Sequence, residues 1–245
     1  PVFQRLGFFM SKLENKLKKI INTFNNINRE VAHKEIKKLS EKYNKNISVQ
    51  NVLFQISQKI NDTETSIIAL RKILLVDKNN IFYLSQLYKL LLNKGLPDEA
   101  LKNIDIILKI EKDNYEALRD KSYIYFLRNN YIEAKKNIEN ISKLKDDDYF
   151  GNNIKGLIYL KNNSFDDAKI LFEKAIKINK QYIDSYNNLG ACLMELEKLS
   201  EAQKIFNYAY KIDKNNISTL INLGNVLSLQ YDIEGAVKHY NEALH

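Results

Sequence analysis

Apolar residues recur at spacings of three and four along nearly the whole chain, in short stripes separated by polar breaks. The clearest stretch is Ser185–Lys214. A first stripe runs through Tyr186, Leu189, Leu193 and Leu196, and a polar break follows at Glu197–Ser200. A second stripe runs through Ala202, Ile205, Phe206 and Ala209. Such spacings put each set on one face of a helix, so the stretch reads as two helices joined by a tight turn. Gly190 lies inside the first helix, where glycine costs about 1 kcal/mol against alanine. It marks close helix approach, and Ala202 has the size to face it.

This pair repeats. Steps of 34 residues from Ala202 meet Ala236 ahead and Ala168, Ala134, Ala100, Ser66 and Ala32 behind, all small. Four residues after each stands a large apolar or aromatic side chain: Ile36, Leu70, Ile104, Ile138, Phe172, Phe206 and Tyr240. Gly156, Gly190 and Gly224, with Ser122 before them, form a third ladder of the same period. Polar breaks at Asp77-Lys78, Glu111-Lys112, Lys145-Asp146, Asn179-Lys180 and Asp213-Lys214 keep the step as well.

On these residues the chain resembles the tetratricopeptide repeat family, whose period is about 34 residues and whose pattern is large–Leu–Gly–Tyr, then Ala, Phe, Ala and Pro. Tyr186, Leu189, Gly190, Leu193, Ala202, Phe206 and Ala209 occupy those places, with Lys214 where the family often has Pro. The next unit matches with Leu220, Leu223, Gly224, Leu227, Ala236, Tyr240 and Ala243. The preceding one matches with Gly156, Tyr159, Ala168, Phe172 and Ala175, although Lys155 replaces Leu. The resemblance implies an all-α fold: a right-handed α-α superhelical solenoid of about seven stacked helix-turn-helix units. Residues 1–12 are expected to be an N-terminal extension, 13–80 two degenerate units, and 81–245 five units, the last truncated. Lys16 and Lys19 fill normally apolar places in the first unit.

Local signals mark element ends. Ser11-Lys12-Leu13-Glu14 has the form of a capping box and predicts the start of the first helix. Gly95 and Pro97 predict a helix stop and a restart. Asp146-Asp147-Asp148 reads as a solvated, capping segment, because three consecutive carboxylates diverge and EF-hand spacing is absent.

Composition narrows the function classes. Of 245 residues, 44% are hydrophobic, enough for a core built from neighbour contacts, and seven Gly with two Pro leave little room for flexible linkers. The formal net charge is +8. The basic residues are dispersed, without an arginine cluster or a nucleic-acid motif, so no nucleic-acid partner is expected. Cys192 is the single cysteine, which excludes an intrachain disulfide and suits a reducing, cytoplasmic setting. No apolar run reaches membrane-spanning length.

Catalytic constellations are missing. The sequence has no GxGxxG, GxSxG or HExxH. Gly151 and Gly156 have a P-loop's gap, but Leu157 stands where lysine is required. His33, His239 and His245 are far apart in sequence. No catalytic residue, cofactor or metal site is expected.

The family resemblance implies that first helices line a concave groove, through the second, fifth, ninth, twelfth and thirteenth residues of each unit. This selects Phe82, Lys89, Arg119, Tyr123, Phe126, Phe150, Asn153, Asn187 and Asn225 as partner-binding residues, with Leu157 and Asp184 beside them. The expectation is a non-catalytic protein-protein interaction scaffold holding a peptide or partner protein in that groove. Two alternatives stay open. The array is the substrate-recognition region of a larger enzyme of glycosyl-, sulfo- or methyltransferase type, with Asn188 and Asn222 resembling the asparagine ladder of O-linked N-acetylglucosamine transferase. Or it self-associates through an uncapped C-terminal repeat that exposes Leu223, Val237 and Tyr240.

Overall fold

The structure is a computed structural model and describes residues 2–144 and 148–244. Its described residues form fourteen helices and no strand. They fall into two compact units, Pro1–Ala117 and Leu118–His245.

The first unit holds α1 (Val2–Asn26), α2 (Arg29–Lys42), α3 (Ile47–Lys59), α4 (Thr63–Val76), α5 (Ile81–Asn93) and α6 (Pro97–Ile110). Each helix packs on the next, and α1 also touches α3. Leu17, Ile20 and Phe24 of α1 are buried, while Lys16 and Lys19 face solvent. The helix begins ahead of the Ser11–Glu14 box. A capping residue starts a helix only where the chain before it leaves helical geometry. Here the spacing of Leu6, Met10, Leu13 and Leu17 runs through the box without a break. Gln50 is fully buried and bonds to the Ser40 hydroxyl and to the carbonyls of Ser40 and Tyr43, which locks α3 to the end of α2.

The second unit takes most of α7 (Tyr115–Leu127), then α8 (Tyr131–Leu144), α9 (Tyr149–Lys161), α10 (Phe165–Ile178), α11 (Ile183–Glu195), α12 (Leu199–Ile212), α13 (Ile217–Leu229) and α14 (Ile233–Leu244). Sequential helices from α8 onward pack in pairs, and α9, α11 and α13 also touch in succession. One core joins Ala168, Phe172, Leu189, Ala202, Phe206, Leu223 and Ala236. Leu223 therefore belongs to this unit's own interior, at 1% exposure, whereas Val237 is half exposed.

Turn chemistry repeats with the same period as the apolar stripes. Asn61, Gly95, Asn129, Asn163, Glu197 and Tyr231 all have φ between 58° and 71°. After each, the next N–H reaches back to a carbonyl five residues earlier, as Lys198 does to Leu193 at 2.9 Å. This left-handed closure satisfies the last carbonyls of the first helix and turns the chain into the second. First helices start on a cap ladder: Asn46, Asn80, Asn114, Asp148 and Asn216 each accept from an N–H three residues on. Tyr182 occupies the remaining rung and makes no side-chain cap. Asp148 caps as expected but is buried, at 3% exposure; Asp146 and Asp147 lie outside the described residues.

The three glycines of the 34-residue ladder face aromatic rings. A β-carbon on Gly156 would sit 2.6 Å from Phe172, and on Gly190 or Gly224 it would overlap Phe206 or Tyr240. The partner of Gly190 is thus Phe206, one turn beyond Ala202. Where Ser122 replaces glycine, the facing rung holds the smaller Ile138.

Candidate binding site

A pocket of about 550 Å3 opens on the second unit, built by successive first helices. α7 supplies Tyr123, and α9 supplies Phe150, Asn153 and Leu157. Tyr182 stands at the head of α11, which adds Asp184, Asn187, Asn188 and Ala191; α13 adds Ser218 and Asn222. The second, fifth and ninth positions of α9 and of α11 all line it.

Two asparagines on the floor act as struts. Asn153 is 2% exposed, and its carbonyl accepts from the Ser185 hydroxyl at 3.1 Å and from the Asn188 amide at 2.9 Å, tying α9 to α11. One period on, the Asn187 carbonyl accepts from the Thr219 hydroxyl at 3.0 Å, and its amide donates to Asn216 at 3.5 Å. Asn187 is thereby satisfied on both atoms. The Asn188 carbonyl and both ends of the Asn222 amide remain open to a ligand.

The aromatic wall is a packed group. Tyr123 meets Phe150 edge-on with centroids 6.4 Å apart, and stacks on Phe126 at 6.5 Å. Phe126 itself is 8% exposed and belongs to the core with Ala134, Ile138, Ile154 and Ile158, so it supports Tyr123 from within. Tyr182 lies edge-on to Tyr149 at 4.9 Å. Burial, and then the charge and hydrogen bond of Asp184, push its phenol far above the usual range, so it is a neutral donor at any working pH. Asp184 is the one charged residue of the lining, and no cationic side chain among the described residues pairs with it. Arg119 sits over the Phe150 ring at 5.8 Å and is paired with Asp120 at 2.7 Å.

The other sequence-selected residues lie elsewhere. Phe82 and Lys89 are on α5 in the first unit, Phe82 at 59% exposure and Lys89 paired with Glu116 at 2.7 Å. Asn225 is on α13 outside the lining and accepts from the Tyr240 hydroxyl at 2.8 Å. Position counting missed Tyr182 because it precedes the helix. Its sequence signal is the broken cap ladder. Among the described residues no group of three or more His, Cys, Asp or Glu could hold a metal, and no helix is long and apolar enough to cross a membrane.

Three sequence models described as tetratricopeptide repeat match residues 152–182, 171–204 and 217–245. Residues 152–204 and 217–245 are tetratricopeptide repeats. A search of the curated proteins gives no match. Among solved structures, a tetratricopeptide repeat protein from Parabacteroides merdae is similar with a TM-score of 0.78 at 16% identity, over 94% of this chain and 91% of that one. The type IV pilus biogenesis factor PilW is similar at 0.64 and 15% identity, over 79% and 90%. Yeast Tom70 is similar at 0.61 and 15% identity, over 88% and 54%. At these identities the likeness shows the tetratricopeptide solenoid fold.

Proposed function

We propose that this tetratricopeptide repeat protein is a non-catalytic interaction scaffold, and that it holds an extended segment of a partner protein against α9, α11 and α13. The observation that carries the reading is the pocket itself. Three consecutive first helices converge on it, aromatic rings form one wall, and the open carbonyl of Asn188 and the open amide of Asn222 are spaced by one repeat. An extended peptide has one donor and one acceptor per residue, and open side-chain amides answer both. The struts through Asn153 and Asn187 fix the helices beforehand, so little ordering cost falls on binding. The buried, unpaired Cys192 supports a reducing, cytoplasmic setting.

A photocrosslinking amino acid at Ser218 or Asn222 should trap the partner in cells, whereas one at the exposed Lys174 of α10 should not. Adducts from Lys174 alone would contradict the reading. A second reading shares the pocket: the chain is the substrate-recognition region of a larger transferase, favoured by Asn188 and Asn222 lining one site. The reading frame beyond residue 245 decides between the two.

A further inference from the structure

We propose that the pocket takes a lysine or arginine side chain of the bound segment, its charge against Asp184 and its methylene stem between Tyr123, Phe150 and Tyr182. This deepens the segment-binding reading and rests on it.

Charge is the first argument. The lining has one charged group, the Asp184 carboxylate, and among the described residues no cation pairs with it. Arg119, the cation against the Phe150 ring, is engaged with Asp120. An acidic side chain entering here would meet Asp184 directly. An apolar one would strip water from a carboxylate without replacing it, which is unfavourable. A cation replaces that water with an opposite charge.

The walls are the second argument. Aromatic faces attract cations within about 6 Å of the ring centroid, and the long stems of lysine and arginine pack on apolar surface while the head stays polar. Tyr123, Phe150 and Tyr182 provide such surface around one carboxylate. The net charge of +8 repels cations at long range, so the selection is local to the pocket.

The cap ladder is the third and is independent of both. Five of the six rungs at 46, 80, 114, 148, 182 and 216 carry Asn or Asp that caps its helix. Only position 182 gives up the cap, and its side chain lines the pocket beside Asp184.

The test measures retention of the full chain on three immobilised heptapeptide libraries whose central residue is lysine, norleucine or glutamate. Lysine should be held about tenfold more tightly than norleucine, an uncharged analogue with a similar stem. Asp184→Asn should erase that preference, and Asp184→Lys should turn it toward glutamate; the site is exposed, and melting curves verify folding. Equal retention of lysine and norleucine overturns the cation assignment and leaves segment binding standing. A lysine preference that survives Asp184→Asn also overturns it, because general charge then explains the selection. Retention of none of the libraries overturns both readings.

Discussion

Gly190 has no room for a β-carbon because the Phe206 ring, itself fully buried, occupies the place. Alanine would gain about 1 kcal/mol of helix propensity. Overpacking costs about 1–3 kcal/mol and wins, since a buried ring has nowhere to move. Gly190→Ala should therefore lower the melting midpoint, and adding Phe206→Leu should restore part of it; independent losses in the double variant would contradict the pairing. Glu197 has φ 59°, a region that costs a side chain about 1–2 kcal/mol and glycine almost nothing. Glu197→Gly should stabilise the protein by about 0.5–1 kcal/mol in chemical denaturation. His33 lies 3.5 Å from Asp62, yet burial, with Lys37 adding to it, holds its pKa below the ordinary value. The unfolded chain then takes up the proton first. Stability should fall as pH drops below about 6.5. His33→Gln should flatten that slope, and an unchanged slope would show that His33 does not cause it. The large–small alternation was legible in the sequence, but not which large residue filled the glycine. Ala202 and Phe206 are one turn apart on the same face, so spacing alone does not separate them.

Helix ends carry most of what the apolar pattern could not show. The break at Glu197–Ser200 reads as a polar turn, yet it opens on a left-handed closure at Glu197 with two defined backbone bonds. Cap residues are visible as Asn or Asp at a fixed step once the helix start is known. The start depends on the helical spacing on either side of the box, as the run of α1 through Ser11–Glu14 shows. At the head of α11 the loss of a cap costs about 1 kcal/mol. The edge contact of Tyr182 with Tyr149 returns a similar amount. The strut between α9 and α11 is testable too. Asn153→Leu would strand the Ser185 hydroxyl, which is 0% exposed, and should cost about 1–3 kcal/mol. A loss under about 0.5 kcal/mol would mean that the strut is replaceable. Sequence counting selected Asn153 and Asn187, and both line the pocket. It had no means of telling a committed amide from an open one, because that depends on Ser185 and Thr219 in the neighbouring repeats.

At the scale of the molecule, one 34-residue period sets the small residues, the glycines, the turns and the caps. This agreement across levels is why the tetratricopeptide fold could be read from a single chain. The proposed binding role rests on departures from the period, and these gather at one place: Tyr182 off its ladder, and Asp184 as the one charge of the lining among aromatic rings. A residue kept for binding and not for stability should separate the two when replaced. The measurement is retention of the lysine-centred library by Tyr182→Asn, taken with its melting curve. The account predicts that restoring the cap offsets the lost ring, so stability changes by less than about 1 kcal/mol. It predicts that retention drops about tenfold or more. Retention at the level of the parent chain would contradict it.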